Sequence, residues 1–593
     1  MKKKNRIVLA GLLFFMLAMT ACGKEASGTA KPEDTTQGGA AETAANGTTE
    51  ENGENAAEKV PESGENQAEL EKNSASDRPE HVPVYLETVS RGICDGETGV
   101  QKVSNKYVEL SLDEETEKRY PQLAKAFQEH NKECAAAAQE VQDQLLKDYE
   151  ELKEWGSAGV EDMYLSDEIS GKVLRADSNV ISIFHDYSSY WGGAHGMYTY
   201  SGVNFDTQTG KELLLTDVVK DTDAFFKQVD EKLQEQYADF YEYMTPLEQH
   251  LDSLDLTDRD SVAWSIDSEG VTVYFNPYTL GSYAMGAQVV SIYFDEAPEL
   301  FEERYMETPE RYVLPCHRDF PRYIDTNGDG KREPVQIEYE ADMYEGEATG
   351  QYQWIVKAGN RSVTISDYCY AENSYVVRAN DQYYLYLFET AENDYQLLAT
   401  VDLKQMDYDP GRTMNAGEGL VSWDWKETED GYINRERASG FSNPDDFELM
   451  KQMDILGTMD GSRHYHTGAD GYPVQDGQWY TVSAQIVLQA EQDVICDRVD
   501  EQGNTIGETV LPSGTFVLLV RSDGDTWMDV QEVDASKLTR EDFGDWVLIH
   551  AEEMLMPDYD KTIYRIPVDR TDYPYRVNGI EEDKVFAGIM YAG

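Results

Sequence analysis

A long amphipathic helix is the clearest element that the pattern of apolar and polar residues predicts. It begins after Pro121, and its apolar residues recur at steps of three and four positions or at sums of those steps. These residues are Leu123, Phe127, Cys134, Ala138, Val141, Leu145, Tyr149 and Leu152. Because this spacing places them on one face, we expect the helix to pack that face against other elements.

Strands and a second helix surround this element. Residues 106–112 alternate in polarity, and residues 179–193 and 196–206 each have the pattern of a strand next to a turn. A second helix is predicted within residues 213–237, with Thr216 or Asp217 as its cap. Three short strands broken by glycine and proline then follow. The pattern predicts an α+β module, with helices packed on an antiparallel sheet.

The second half of the chain has a different pattern. From residue 311 onward short strands and turns dominate, which predicts a β-rich C-terminal region, and residues 444–456 show the clearest helical period there. The predicted divisions are a signal peptide at 1–22, a disordered acidic tether at 23–81, an α+β domain at 82–305, a β-rich domain at 306–475 and a C-terminal β-rich domain at 476–593.

The first residues predict a lipoprotein signal. Four basic residues precede an apolar run at 7–18, which is shorter than the roughly 20 residues that span a bilayer. Such a run is typical of a signal peptide. The small residues before Cys22 resemble the lipobox of bacterial lipoproteins, which implies that Cys22 becomes the lipid-modified amino terminus. We therefore expect a lipid anchor on the extracytoplasmic face of the cell membrane. The alternative is a secreted protein cut near Ala21.

The charge narrows the choice of partners. The chain has 114 acidic and 50 basic residues, so its formal net charge is −64. Nucleic acid binding needs a basic surface, so we expect no nucleic acid partner. The charge favours a cationic partner, and solubility in salty surroundings explains it equally well. The tether contains no aromatic residue, and it cannot bury enough apolar surface to fold.

The cysteines do not predict a metal site. Those that follow Cys22 are Cys94, Cys134, Cys316, Cys369 and Cys496, and none is part of a CxxC pair. Cys134 lies on the apolar face of the predicted helix, so we expect a buried thiol there. One or two disulfides among the others stay possible from the sequence.

Three segments resemble a known extracytoplasmic family. In chain order they read YVELSLDEETEKRYPQLAKAFQEHNKECAA, ISIFHDYSSYWGGAHGMYTYSGVNFDTQTGKELLLTDVV and VTVYFNPYTLGSYAMGAQVVSI. They resemble the domain-of-unknown-function family found in RsiV, the lysozyme-sensing anti-sigma factor. Similar regions precede the catalytic domain of PdaC-type peptidoglycan deacetylases. The most specific marks are GGAHG…FD…TGK and F.PY…G…A.G, and the resemblance covers about residues 100–300, a third of the chain.

The resemblance implies a surface module that contacts lysozyme or peptidoglycan. An acidic body that faces a basic enzyme such as lysozyme is electrostatically favourable. Few residues precede the apolar run, so we do not carry over the anti-sigma function. The C-terminal half also lacks the set of metal-binding Asp and His motifs of the deacetylases.

The glycine-rich motif contains one histidine, His195. The glycines that permit a tight backbone path around it are Gly192, Gly193 and Gly196. We interpret His195 as a brace of this turn, because one histidine without placed partners does not define a catalytic site; direct chemistry is the alternative. His185 and Asp186 lie near it in sequence, but a triad is recognised by geometry.

The segment DTNGDGKRE predicts a calcium (Ca2+) site. Oxygen ligands fall at alternate positions of this loop, namely Asp325, Asn327, Asp329, the carbonyl of Lys331, and Glu333. Gly330 permits the turn, and Gln336 stands where an EF-hand has Glu. The loop resembles the shorter Asp-rich calcium loops of extracellular β repeats. A hairpin turn without metal is the alternative.

Two other motifs are candidate binding sites. His464 and His466 share one face if they lie on a strand, but a third metal ligand is not evident. Residues 512–550 resemble a bacterial SH3-like barrel through Trp527 and Trp546, which implies binding of cell-wall peptides. Core aromatic residues of an unrelated β unit are the alternative.

Together these features predict a non-enzymatic lipoprotein of the cell envelope. We expect it to bind or sense an extracellular partner, lysozyme or peptidoglycan. The alternatives are a cell-wall hydrolase whose site has no recognised motif, and a scaffold of an envelope complex. The sequence contains no HExxH, GxSxG or P-loop motif.

Overall fold

The computed structural model describes residues 78–591, except for position 97, residues 155–163, 345–346, 392–394, 484, 545–546, 552–554 and position 559. Cys22, the signal peptide and nearly all of the tether lie outside these residues. Lipidation and the tether therefore stay predictions.

The first region is a sheet covered by a long helix. Its elements are β1 (Tyr85–Cys94), β2 (Gln101–Ser111), α1 (Glu114–Arg119), α2 (Pro121–Glu154), β3 (Leu165–Ala176), β4 (Val180–Tyr190) and β5 (Met197–Asp206). Strands β2 and β3 pair in parallel, and the other pairs among β1–β5 are antiparallel. A parallel pair needs a crossover connection, which helix α2 supplies. The predicted apolar face of α2 is confirmed, since Leu123, Phe127 and Leu145 are among its buried residues.

A smaller helical layer and a three-stranded sheet follow. Their elements are α3 (Leu215–Val218), α4 (Thr222–Gln236), α5 (Leu247–Leu251), β6 (Trp264–Ile266), β7 (Gly270–Phe275), β8 (Gln288–Tyr293) and α6 (Glu303–Met306). Helix α4 packs Phe225, Val229 and Leu233 into the same core as strands β6–β8. The predicted cap is wrong: Asp221 caps α4 by accepting a hydrogen bond from the Ala224 N–H, whereas Asp217 accepts one from the Leu214 N–H.

The described residues between 312 and 439 form strands and turns, with a short 3₁₀ helix at Pro410–Arg412. The strands are β9 (Tyr312–Pro315), β10 (Arg322–Ile324), β11 (Glu333–Tyr344), β12 (Glu347–Ala358), β13 (Arg361–Cys369), β14 (Ala371–Ala379), β15 (Gln382–Thr390), β16 (Gln396–Asp402), β17 (Asp407–Tyr408), β18 (Met414–Asn415), β19 (Gly417–Glu418), β20 (Leu420–Thr428) and β21 (Gly431–Ser439). Strands β10–β13 form one sheet, and β9 and β14–β18 form another.

The last region is also built of strands. They are β22 (Phe447–Asp454), β23 (Thr458–Thr467), β24 (Pro473–Gln475), β25 (Tyr480–Val482), β26 (Val487–Ala490), β27 (Val494–Val499), β28 (Thr505–Leu511), β29 (Phe516–Ser522), β30 (Trp527–Glu532), β31 (Leu538–Asp542), β32 (Val547–Ala551), β33 (Ile563–Pro567), β34 (Arg576–Val577), β35 (Ile580–Glu581) and β36 (Phe586–Ala587). The helix predicted at 444–456 is wrong, because β22 occupies this segment and pairs with β23.

Two sheets run across the predicted domain boundaries. The first sheet has the order β20-β21-β1-β2-β3-β4-β5, so strands from residues 420–439 extend the sheet of the α+β region. A second, large sheet contains both β22–β23 and β25–β30. The three-domain division stays a prediction, and Arg78–Gly593 group as one compact unit by their contacts. The fold class is confirmed as α+β followed by a β-rich region.

Buried ion pairs connect the α+β region to the strands that follow it. Glu269, in the turn between β6 and β7, accepts hydrogen bonds from the hydroxyls of Tyr312 and Tyr383 and pairs with Arg332. Asp267 in the same turn pairs with Arg322 at 2.7 Å. None of the helices in the described residues is both long enough and apolar enough to cross a membrane.

Candidate functional site

The glycine-rich motif forms the turn between β4 and β5. Gly192 and Gly193 have φ of 83° and 114°, in the region that favours glycine. A Cβ on Gly196 would lie 2.7 Å from the Ser189 carbonyl oxygen, closer than side chains approach. The turn therefore needs glycine at these positions, and it presents His195 exposed to solvent.

The ring of His195 stacks on the ring of Tyr283. Their centroids lie 4.2 Å apart with an angle of 23° between the planes. His195 Nδ1 lies 2.8 Å from the Gly196 carbonyl oxygen, an acceptor only. Nδ1 therefore donates, which leaves Nε2 as the acceptor in the neutral ring. Tyr283 belongs to a turn before β8, so the structure joins the two motifs that carry the family resemblance.

Two more tyrosines extend this stack into a surface. Tyr198 meets Tyr283 edge to face at 6.0 Å, and Tyr278 lies 5.8 Å from Tyr283 at a tilt of 38°. Tyr278 is 53% exposed and has a φ of 72°, a left-handed conformation that is uncommon for an aromatic residue. We call His195, Tyr198, Tyr278 and Tyr283 the aromatic platform.

Polar side chains and close backbone contacts fix the platform. The Asn276 side chain forms two hydrogen bonds with the backbone of Tyr200, at 2.7 and 2.9 Å. The buried Gln288 amide donates to the carbonyls of Met285 and Gly286. A Cβ on Gly202 would lie 2.4 Å from the Trp264 carbonyl oxygen, so β5 and β6 approach closely only because residue 202 is glycine.

The segments that build the platform contain no charged residue. Tyr187–Phe205 and Gly270–Phe294 have no Asp, Glu, Lys or Arg, although such residues make up 28% of the chain. These two segments therefore contribute aromatic rings and hydroxyls without charged side chains of their own, in a chain that is elsewhere strongly acidic.

A second histidine, His317, lies beside the base of the platform. Its Nε2 is 3.2 Å from Asp186 Oδ2, and its Nδ1 accepts a hydrogen bond from the Asp319 N–H. Its ring stacks on Phe320 at 4.5 Å. Because Nδ1 accepts, Nε2 carries the proton and donates to Asp186. Both ring nitrogens are thus engaged. Sequence reasoning did not identify His317, since its partner Asp186 is distant in the chain.

Tyr200 connects His317 to the platform. Its ring lies 4.9 Å from His317 and 5.6 Å from Tyr198, and its hydroxyl donates to Asp319 Oδ2 at 2.6 Å. Burial, together with the hydrogen bond to Asp319, raises the pKa of Tyr200 far above its usual value. This hydroxyl therefore remains protonated and acts as a donor.

His185 does not join Asp186 or His195, because neighbouring residues of a strand point to opposite faces. His185 faces helix α2, where its ring lies 6.4 Å from that of His130. Its Nε2 is enclosed and has no hydrogen-bond partner among the described residues. Desolvation lowers the pKa of His185 to about 3 and that of His130 to about 4, so both rings are neutral at physiological pH.

Cys134 lies next to this pair. Its Sγ is 3.4 Å from His130 Nε2, and burial raises the pKa of the thiol to about 11. Cys134 is a thiol, as expected, although it is only partly buried. A neutral thiol beside a neutral imidazole has no nucleophilic activation.

The predicted calcium loop precedes β11 and folds around its own side chains. Asp325 accepts hydrogen bonds from the N–H groups of Gly328, Asp329 and Gly330, and Asn327 Oδ1 accepts one from Asp329. Asp329 accepts the Lys331 N–H, while Glu333 accepts the Thr326 N–H and contacts the Asn327 amide. Within the described residues, no three Asp, Glu, His or Cys side chains are arranged to hold a metal ion. Calcium at this loop stays a prediction.

The contacts described for the other predicted motifs, the histidine pair and the SH3-like segment, do not involve the residues of the platform. His464 and His466 pair with separate carboxylates, Asp446 at 2.6 Å and Asp476 at 2.8 Å. The guanidinium of Arg565 lies 3.6 Å from the centre of the Trp527 ring. Trp546 lies outside the described residues, so the SH3-like interpretation stays a prediction.

Comparisons with known proteins match the region that carries the platform. The family described as "Deacetylase PdaC" matches residues 104–198, and "Protein of unknown function (DUF3298)" matches residues 214–295. Among curated proteins none matches the chain. The likeness to RsiV stays a prediction.

Two solved structures of the DUF3298 family are similar to this chain. One, from Bacteroides fragilis, has 16% identity and a TM-score of 0.28, and the match covers 39% of this chain and 96% of that one. The other, from Pseudomonas aeruginosa, has 17% identity and a TM-score of 0.25, with 39% and 99% covered. The PdaC match ends at residue 198 and the DUF3298 match begins at residue 214, and the aromatic platform takes residues from both matched segments.

Proposed function

We propose that this protein is a non-enzymatic lipoprotein of the cell envelope whose folded part binds peptidoglycan. The observation that carries the proposal is the aromatic platform, where the His195 and Tyr283 rings meet at the surface. Exposed aromatic rings held in place by a rigid scaffold are typical of binding surfaces.

The polar groups around the platform favour binding over catalysis. The two nitrogens of His317 are engaged with Asp186 and Asp319, so this ring is not poised to accept a proton from a substrate. The Tyr200 hydroxyl donates to Asp319. These bonds hold the rings in position, which is the role expected in a preorganised binding site.

A second candidate partner is lysozyme, and the charge of the chain favours it. A net charge of −64 attracts a basic protein over long range and accelerates encounter. Such attraction weakens as salt is added, because mobile ions screen exposed charges. Binding to the uncharged platform should depend less on salt. Salt dependence therefore separates the two partners.

The proposal is tested by sedimentation of the full chain with purified peptidoglycan, at low and at high salt. We expect co-sedimentation at both, and reduced co-sedimentation of the Tyr283→Ala variant. Immobilised lysozyme is tested in parallel. Retention on lysozyme only at low salt, without binding to peptidoglycan, would support the second candidate. No binding to either would contradict the proposed function.

The anchor is a separate part of the proposal. A basic start, a short apolar run and Cys22 after small residues support lipidation at Cys22. Labelled palmitate should enter the full chain and should not enter the Cys22→Ala variant. Equal labelling of both would place the lipid elsewhere, and no labelling of either would refute the anchor.

A further inference from the structure

We infer that the aromatic platform binds the saccharide chain of peptidoglycan, through the uncharged faces of its N-acetylated sugar rings. The inference rests on the proposed function and deepens it, since peptidoglycan also contains charged peptide stems. It assigns the sugar chain, and not the peptide, to His195, Tyr198, Tyr278 and Tyr283.

The ring geometry is the first argument. The centroids of the Tyr278 and Tyr283 rings lie 5.8 Å apart, and their planes are tilted by 38°, so the two rings are close enough to contact one ligand together. Aromatic faces carry a negative electrostatic potential, which attracts the partly positive C–H groups on the face of a sugar ring. His195 stacks on Tyr283 at 4.2 Å and limits the movement of this ring.

The charge pattern is the second argument. The segments Tyr187–Phe205 and Gly270–Phe294 lack Asp, Glu, Lys and Arg in a chain where these residues make up 28%. A peptide stem with free carboxylates or amines, or a basic protein surface, would be recognised by opposite charges. An uncharged ligand rich in hydroxyl and acetamido groups is complementary to this surface. His195 Nε2 supplies a hydrogen-bond acceptor for it, because Nδ1 donates to the Gly196 carbonyl.

Backbone strain is the third argument. Tyr278 adopts a φ of 72° while its side chain is 53% exposed. Strain of this kind persists where the surrounding structure imposes it, and it is frequent at ligand-binding sites. Here it presents an aromatic ring to solvent beside Tyr283, where glycine would give the same backbone path without strain.

The test uses the full chain and a soluble oligosaccharide of N-acetylglucosamine, titrated by calorimetry. We expect wild-type binding, and a loss of affinity of about tenfold or more for Tyr283→Ala, the size expected for one lost aromatic contact. The control is Tyr339→Ala. Tyr339 is 52% exposed and contacts the ring of Tyr352 at 5.0 Å, but it lies between Glu338 and Glu340 in another sheet. The control should bind as the wild type does.

Tyr278→Gly separates binding from folding. Removing the ring should weaken saccharide binding, while glycine relieves the backbone strain and keeps the melting temperature at or above that of the wild type. A variant that is stable and still binds with wild-type affinity would overturn the role of Tyr278.

The outcomes distinguish this inference from the proposed function. If the wild type binds whole peptidoglycan but not the oligosaccharide, the inference is wrong and the proposed function holds. If it binds the oligosaccharide and all platform variants bind equally well, the platform is not the site. If it binds neither, both are wrong.

Discussion

The side chain of Asn276 forms the two hydrogen bonds with the Tyr200 backbone that a neighbouring strand would otherwise form. Asn276 Oδ1 accepts the Tyr200 N–H at 2.7 Å, and Nδ2 donates to the Tyr200 carbonyl at 2.9 Å. One amide thus satisfies both backbone groups of a buried residue at the point where β5 approaches the turn that carries Tyr278. The contact connects the conformation of this turn to the stability of the first sheet.

Asn276→Ala removes both hydrogen bonds and leaves two backbone groups without partners. We expect the free energy of unfolding to fall by about 2–3 kcal/mol, since an unsatisfied buried polar group costs about 1–3 kcal/mol. Urea titration measures the loss. Asn504→Ala is the control, because Asn504 is exposed, and it should change stability by less than about 0.5 kcal/mol. Equal losses in the two variants would contradict the role of Asn276.

Glu269→Gln tests the buried link between the α+β region and the strands after it. The substitution keeps the size of the side chain but leaves Arg332 without its buried carboxylate partner. We expect a loss of about 3–5 kcal/mol in the free energy of unfolding. Asp295→Asn is the matched control, since Asp295 pairs with the same arginine at 2.9 Å but is 70% exposed. Its loss should be below about 1 kcal/mol.

The buried histidines predict a loss of stability in acid. The pKa values of His185 and His130 in the fold, about 3 and about 4, lie below the ordinary value of 6.5. The unfolded chain therefore binds more protons than the fold below pH 6.5, and stability falls as the pH decreases toward the folded values. Each histidine contributes at most about 1.4 kcal/mol per pH unit.

The effect is checked by measuring the free energy of unfolding at several pH values between about 7 and 5, where the unfolded chain gains protons that the fold does not bind. His185→Gln should show a shallower decrease than the wild type. His464→Gln should make the decrease of stability with falling pH slightly steeper than in the wild type. The partner Asp446 raises the pKa of His464, and this ring is largely exposed. An unchanged slope in His185→Gln would show that His185 does not govern the acid response.

Calcium should stabilise the full chain through the Asp-rich loop, if the predicted ligands bind it. We expect added calcium to raise the melting temperature of the wild type. The double variant Asp325→Ala and Asp329→Ala should lose this rise, because it removes two of the hard oxygen ligands. Asp500→Ala alters another turn, where Asp500 binds Asn504, and should keep the rise. A rise retained in the double variant would exclude this loop.

Local patterns in the sequence predicted the elements whose periodicity is unambiguous. The face of α2 was found because Leu123, Phe127 and Leu145 recur at helical spacing over many turns. Residues 444–456 gave a wrong helix because the same apolar residues also satisfy a strand. Phe447, Leu449 and Met453 are separated by two and four positions, which places them on one face of β22, and all three are buried. The segment forms a strand because it pairs with β23 in a hairpin. The turn of this hairpin contains Leu456 and Gly457, which both have positive φ.

The platform could be predicted only in part. The spacing of glycines identified the turn around His195, since glycine there reflects a local backbone requirement. Its stacking partner Tyr283 was not predicted, because the two residues meet only when β5 and the turn before β8 pack together. The pairing of β1 with β21 was missed for the same reason: strand partners distant in the chain leave no mark in either segment.

That distant pairing has a consequence for the order of assembly. Strand β1 (Tyr85–Cys94) lies between β2, which follows it directly, and β21, whose residues end at Ser439. One edge of β1 therefore stays open until most of the polypeptide has been synthesised. Loop closure over such a separation slows folding. A fragment ending at residue 305 would keep this edge permanently available to other chains, as a template for aggregation.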